Sequence, residues 1–181
     1  ILDFDARKSI LSFWNGLAGE GTESSEDLIK TPKQFFYKII ANIPYNITGA
    51  ILKKFLTEKH QPSSMVLMVQ HEVARRIVAQ DGKESILSIS VKAYGKPKMV
   101  MKVPARYFSP APKVDSAVIA ITDISRAMFE KNQIDEENFW KVVKTGFAHK
   151  RKKLSSNLKN TLKNKDLGTL ANLGNKRAED L

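Results

Sequence analysis

The chain has 181 residues, and 30 Lys and Arg against 19 Asp and Glu leave a formal net charge of +11. It holds no cysteine, which excludes both a disulfide framework and a thiolate zinc site. With 42% hydrophobic and 27% charged residues it has too much apolar side chain for a disordered polymer, and no run approaches the roughly 20 apolar residues of a membrane span.

In chain order, Ile1–Ala6 alternates apolar and polar residues and reads as a short strand ending at an acid. Gly16–Thr31, with three glycines and four acids, reads as an exposed loop or insertion. Gln34–Ile43 is aromatic and β-branched, which predicts a buried strand stopped by Pro44. Thr48–His60 places Ile51, Leu52, Phe55 and Leu56 at helical spacing with lysines opposite. Ser64–Val69 suits a central strand. His71–Gln80 suits a helix with a Val73, Ile77 and Val78 stripe, Arg75 and Arg76 pointing elsewhere, and an end at Asp81-Gly82. Ser85–Val91 alternates through Leu87, Ile89 and Val91, and pattern alone predicts a strand. Lys98–Val103 and Lys113–Ile121 are further strands, separated by a loop carrying Pro104, Pro110 and Pro112. This alternation of strands and helices indicates an α/β domain. From Asp135 onward only helical patterns remain, with candidates at Glu137–Phe147 and Lys150–Leu162, so a boundary is expected near residues 123–135.

Charge is concentrated late. Residues 141–165 contain nine Lys and Arg and no acid, the densest run being Lys150, Arg151, Lys152 and Lys153. Such a run suits phosphate contacts of a nucleic acid, the other reading being a solvated helix face. The chain opens at Ile1 inside an apolar run and stops at Leu181 in helix-like sequence, which reads as a piece of a longer polypeptide. No basic-then-apolar leader pattern is seen at its start, and the lack of cysteine is compatible with cytoplasm.

Asn42-Ile43-Pro44-Tyr45 follows the expected strand. An exocyclic amine on a nucleobase is a poor nucleophile because its lone pair is conjugated with the ring. A side-chain amide oxygen and a neighbouring backbone carbonyl can accept both of its N–H bonds and favour pyramidal geometry at nitrogen. Asn42 supplies the amide, Ile43 the carbonyl and Tyr45 a ring to stack on the base, while Pro44 stiffens the corner. The plainer reading is a strand end followed by a turn. Phe108, leading into Ser109-Pro110-Ala111-Pro112-Lys113, offers a second ring for an extruded base, or is simply a core Phe beside a loop. Asp5, at a strand's C-terminal end, lies where α/β sheets bind ligands, though it could equally be a surface acid. No metal site is expected.

Together these segments resemble the KsgA family of ribosomal RNA adenine dimethyltransferases. Asn42-Ile43-Pro44-Tyr45-Asn46-Ile47-Thr48 resembles its Asn-Leu-Pro-Tyr-Asn-Ile-Ser/Thr motif. Met68 to Arg76 is similar to its Leu-Gln-Lys-Glu-Val helix start. Phe108 to Val118 resembles its Phe-x-Pro-x-Pro-Lys-Val-Asp-Ser-Ala-Val stretch, Gly146 to Leu158 its Ala-Phe-x-Gln-Arg-Arg-Lys-x-Leu-x-Asn-Leu segment, and Arg177-Ala178-Glu179 a later turn.

The resemblance implies a Rossmann-like methyltransferase domain at 1–125, lacking its N-terminal strands, and a small all-α, RNA-binding domain at 135–181. It implies S-adenosylmethionine as cofactor and two adjacent adenosines near the 3′ end of small-subunit (16S) ribosomal RNA as substrate, each methylated twice at N6 in the assembling 30S particle. It places Asn42 and Ile43 on the target amine and Tyr45 and Phe108 on the faces of the base. Asp5, Ala6 and Asn42 fall on the cofactor side, and Lys113, Lys150, Arg151, Lys152 and Lys153 on RNA. A cytoplasmic monomer is expected, and no general base is assigned. The resemblance also makes Ser85–Val91 helical, against the alternation.

Departures are Ala41 for the usual Gly, His71 and His149 for Lys and Gln, and a 16–33 stretch about 15 residues longer than the family norm, by the loop-length expectation for compact domains. The family's glycine-rich cofactor loop and ribose-binding acid would precede Ile1, so the 181-residue chain is expected to be inactive alone. Two rival readings remain. The Erm class methylates large-subunit RNA and confers antibiotic resistance; Ile43 suits it, whereas Asp115-Ser116-Ala117-Val118 and the 146–158 segment suit KsgA. A non-catalytic RNA-binding assembly factor on the same scaffold is the other, against which Asn42 and Tyr45 both stand.

Overall fold

The computed structural model describes residues 37–159, 161 and 172–180. The expected strand at Ile1–Ala6, with Asp5 and Ala6, and the loop at Gly16–Thr31 lie outside the described residues. Among the described residues, four strands form one sheet in the order β1-β2-β4-β3. They are β1 (Lys38–Asn42), β2 (Ser64–Gln70), β3 (Lys96–Val103) and β4 (Ser116–Thr122). β1 and β2 are parallel, and β4 is antiparallel to both of its neighbours. Parallel neighbours cannot be joined by a tight turn, so helices carry the chain back. Helix α1 (Thr48–Thr57) links β1 to β2, and α2 (His71–Val78) and α3 (Ile86–Lys92) link β2 to β3.

One face of the sheet is the core. Met65, Leu67 and Val69 of β2 lie opposite Ile121, Ile119 and Ala117 of β4, and all six are fully buried. Leu52 and Leu56 of α1, Ala74 and Ile77 of α2 and Val91 of α3 complete this layer. Burying one such large aliphatic side chain contributes about 1.5–3 kcal/mol. Period-two alternation in β2 and β4 and the apolar stripe of α1 are what put these side chains inward. On the opposite face Ile40 is 82% exposed, and Val66 and Met68 are half-buried.

Two expectations are corrected. Ser85–Val91 is not a strand: α3 starts at Ile86, because Ser85 and Ser88 form a reciprocal capping box. The Ser85 hydroxyl accepts from the Ser88 N–H at 3.1 Å, and the Ser88 hydroxyl accepts from the Ser85 N–H at 2.7 Å. Two backbone donors that a helix start would otherwise leave unpaired are thereby satisfied, which outweighs a short alternation. The second correction concerns Lys150, Arg151, Lys152 and Lys153, which occupy a turn rather than a helix; α6 begins only at Leu154. Helix α2 also ends earlier than Asp81-Gly82. Ala79 takes a left-handed conformation (φ 52°), and its N–H and that of Gln80 bond back to the Arg76 and Arg75 carbonyls.

After β4 come α4 (Ala127–Lys131), α5 (Glu136–Gly146) and α6 (Leu154–Leu158). α4 has no counterpart in the sequence expectations. Its Phe129 packs with Tyr94 and Phe139, both of which meet Trp140, ring centroids standing 5.0–6.2 Å apart through the set. Polar tips lock this cluster. Tyr94 donates to Glu136, Trp140 Nε1 donates to the Tyr94 oxygen at 3.2 Å, and Arg126 Nε donates to Glu136 at 3.2 Å. Arg126 also donates to the Thr57 and Glu58 carbonyls at the end of α1. A second small core gathers Leu154, Leu158 and Ala178 with Val142, Phe147 and Leu173.

Candidate active site

β1 ends at Asn42, which pairs with Met68 of β2, so Asn42 stands at the C-terminal end of a parallel pair. Ligands of open α/β sheets bind at such ends. Pro44 has no N–H to continue the ladder and takes an extended conformation (φ −58°, ψ 135°). Tyr45–Ile47 then forms a single 3-10 turn, closed by the Ile47 N–H on the Pro44 carbonyl at 3.2 Å. The buried Thr48 hydroxyl donates to the Tyr45 carbonyl at 3.1 Å and seats this turn on α1. Ile43 is buried, whereas the Asn42 side chain is exposed and has no hydrogen-bond partner among the described residues.

The Tyr45 hydroxyl lies 2.7 Å from the hydroxyl of Ser116, the fully buried first residue of β4. Asp115, one residue earlier, is tied at three points. Its carbonyl accepts from the His71 N–H at 2.9 Å, one carboxylate oxygen accepts from the Ala105 N–H at 2.9 Å, and the other lies 2.7 Å from Lys102 Nζ. The Lys102 ammonium, and after it the Ala105 N–H, hold the Asp115 carboxyl below the usual carboxylate range. Ala105 opens a second 3-10 turn, Ala105–Tyr107, which leads directly into half-buried Phe108. The Phe108 N–H returns to the Ala105 carbonyl at 3.1 Å. The corner carrying Tyr45 and the turn carrying Phe108 are therefore bonded to consecutive residues. Lys113 sits exposed in the same loop.

The other expected residues lie apart. All of Lys150, Arg151, Lys152 and Lys153 are exposed, and no hydrogen bond joins them to the Asn42–Tyr45 corner among the described residues. Their turn is pinned by Asn157, whose side-chain amide donates to the Gly146 carbonyl at 2.6 Å and to the His149 carbonyl at 3.1 Å. A groove of about 1380 Å³ runs between the helical layer and α5, lined by Lys53, Arg75, Arg76, Lys141, Lys144 and several acids; Asn42, Tyr45 and Phe108 are not among its walls.

Sequence reasoning missed the roles of Asp115, Ser116 and Asn157, although all three fall inside the quoted motifs. It also missed Tyr107, 69% exposed, with the Arg106 guanidinium 5.3 Å from its ring centre.

A family model described as ribosomal RNA adenine dimethylase matches residues 13–180. A protein of Dehalococcoides mccartyi named ribosomal RNA small subunit methyltransferase A is 42% identical over 134 residues, covering 71% of this chain and 45% of the relative. One of the same name from Rippkaea orientalis is 39% identical over 167 residues, covering 86% and 60%. The chain thus spans about half the length of the curated relatives it matches. A crystal structure of a dimethyladenosine transferase from Plasmodium falciparum superposes with a TM-score of 0.60 at 28% identity, covering 94% of this chain and 60% of that one. That of the 23S rRNA methyltransferase ErmE gives 0.65 at 21% identity, covering 99% and 76%, a likeness of fold alone.

Proposed function

Given that the chain belongs to the ribosomal RNA adenine dimethylase family, we propose that it serves S-adenosylmethionine-dependent dimethylation, at N6, of two adjacent adenosines in the 3′-terminal hairpin of small-subunit ribosomal RNA. The observation that carries this reading is the meeting of two loops at one end of the sheet. Asn42-Ile43-Pro44-Tyr45 and the Phe108 turn are joined through the Tyr45–Ser116 bond and the ties of Asp115. The names of the bacterial relatives favour the small subunit over the large.

In this reading the Asn42 amide oxygen and the Ile43 carbonyl accept the two N–H bonds of the target amine. They draw its nitrogen out of conjugation and aim its lone pair. Tyr45 and Phe108 stack on the two faces of the flipped base, which offsets the few kcal/mol lost on unstacking it. Pro44 and the 3-10 turn hold the acceptors in place beforehand, so little reorganisation accompanies transfer. Bound S-adenosylmethionine supplies an electrophilic methyl group. The described residues fit the amine side of such a cleft, since an exposed amide stands at the C-terminal end of a parallel strand. Asp5 and Ala6 are assigned to the cofactor's adenine on the family resemblance. The amine proton leaves to solvent after transfer, so no base is required.

Lys113 and the Lys150–Lys153 turn contact RNA phosphates. The architecture proposed is a Rossmann-like methyltransferase domain over 1–125 with an all-α domain over 135–181, acting as a cytoplasmic monomer on the assembling small subunit.

The test is methyl transfer by the intact gene product to ribosomal subunits lacking the modification, mapped by mass spectrometry. Label is expected at two adjacent small-subunit adenosines, with a loss on the order of 100-fold or more for Asn42→Ala. Label on the large subunit would favour the Erm-type reading. Binding of particles without transfer would favour an assembly factor, and an undiminished rate in Asn42→Ala would overturn the amine-acceptor assignment.

A further inference from the structure

Two rings grip a base only if the gap between them is held, and neither ring lies on a long element of its own. We propose that Asp115 and Ser116 are positioning residues that set the gap between Tyr45 and Phe108, an inference that rests on the reading of those two rings as the base clamp. Ser116 is the rigid side of the device. It is fully buried at the start of β4 and paired with Gln70 on one side and Val103 on the other. A hydroxyl with its backbone held in two ladders is a fixed point, and the Tyr45 hydroxyl is bonded to it at 2.7 Å. Anchoring a phenol at its far tip removes the freedom that a three-residue turn leaves to its ring.

Asp115 does the same for the other ring through backbone rather than side chain. Its carboxylate accepts the Ala105 N–H at 2.9 Å and closes the loop from 105 to 115 at its neck. Ala105 in turn accepts the Phe108 N–H at 3.1 Å. Lys102 on the second carboxylate oxygen and the His71 N–H on the carbonyl keep Asp115 from rotating away. The two anchors are adjacent in sequence, so their Cα atoms stand about 3.8 Å apart across one trans peptide. The spacing of the rings is thereby referred to a single peptide unit, although the segments that carry them are distant in the chain.

The measurement uses the intact gene product and a hairpin RNA in which one of two adjacent adenosines is replaced by 8-vinyladenosine, a fluorescent analogue that keeps the 6-amino group. Its fluorescence is quenched by stacking, and a dye on the distal end of the same RNA reports overall affinity by anisotropy. Ser116→Ala and Tyr45→Phe should each lose about half of the quench, while affinity, carried mainly by phosphate contacts, changes less than about threefold. The double variant should lose no more than either single one, because both delete one bond. Asp115→Asn, which keeps an acceptor for Ala105, should retain most of the quench that Asp115→Ala loses. Thermal melting of each variant confirms that the fold is retained, and Tyr45→Phe reports on the bond even if Ser116→Ala melts early. Undiminished quench in Ser116→Ala and Asp115→Ala, or additive losses in the double variant, would overturn the assignment. A different result, undiminished quench in Tyr45→Ala or none in the unaltered protein, would overturn the base clamp itself.

Discussion

Replacing Tyr94 by phenylalanine removes one oxygen from the cluster that joins α3, α4 and α5, and keeps the ring. The ring remains buried against Phe129 and Trp140, so the apolar contribution is unchanged. What is lost is the bond from the phenol to the Glu136 carboxylate, together with the acceptor for Trp140 Nε1. A hydrogen bond to a charged group contributes about 1.5–3 kcal/mol, and a partly buried indole N–H left without an acceptor adds to the loss. A destabilisation of about 2–3 kcal/mol follows, read as a lower urea midpoint by far-UV circular dichroism. The same bond has a signature in pH. Burial first, and the bond to Glu136 second, push the Tyr94 pKa up to about 12 from its ordinary value of 10.0. A raised folded-state pKa means that the stabilisation is complete below pH 10 and is lost as pH climbs through 12. Two pKa units would correspond to about 2.7 kcal/mol without solvent screening, so the gap between the parent and Tyr94→Phe should shrink by about 1–2 kcal/mol between pH 9 and pH 12. A gap under about 0.5 kcal/mol at pH 8, or one that stays constant into alkali, would refute the reasoning.

Gly95→Ala should destabilise by about 2 kcal/mol in the same urea assay: a Cβ there would stand 2.9 Å from the Ile121 side chain and 3.0 Å from the Thr122 carbonyl, and the backbone of β4 cannot yield. Ala79→Gly should instead stabilise by about 0.5–1 kcal/mol, because residue 79 ends α2 in the left-handed region where a Cβ is strained; a lower midpoint would contradict the assigned helix end. Changing Lys150, Arg151, Lys152 and Lys153 together to Ser should make the salt dependence of RNA binding shallower by up to about 3–4 units of log–log slope, and an unchanged slope would remove this turn from the RNA contact.

The Asn42–Tyr45 corner and the Phe108 loop stood out in the sequence because the residues proposed to act there are consecutive and chemically unusual. So did β2 and β4, which are short, nearly continuous apolar runs rich in β-branched residues, as strands buried at the centre of a sheet are. Ser85–Val91 misled because Leu87, Ile89 and Val91 satisfy a two-residue period by accident. The decisive signal was the Ser85/Ser88 pair, which lies at the boundary rather than within the pattern. The basic run was expected to be helical because Lys150–Leu162 reads as one amphipathic pattern. The Asn157 amide, bonded to two carbonyls upstream, holds it as a turn instead. The bond between Tyr45 and Ser116 spans 71 residues, and no local pattern encodes a pairing at that range. Phe129 and α4 were invisible for a related reason, since five residues are too few to show a helical period and their burial depends on Tyr94 and Phe139.

Reversal of β4 has a topological dividend. A strand laid parallel to β1 and β2 would deliver its first residue to the far rim of the sheet, about 20 Å away over seven residues. Running the other way, β4 begins where β1 finishes, and the 96–122 hairpin travels as one cassette bearing Lys102, Phe108, Asp115 and Ser116. Among the described residues, the side-chain hydrogen bond that joins it to the β1 corner is one hydroxyl pair. Exchanging that cassette between relatives would carry the Tyr45 anchor with it only where Ser116 and the β2-facing core residues Ala117, Ile119 and Ile121 are kept as well.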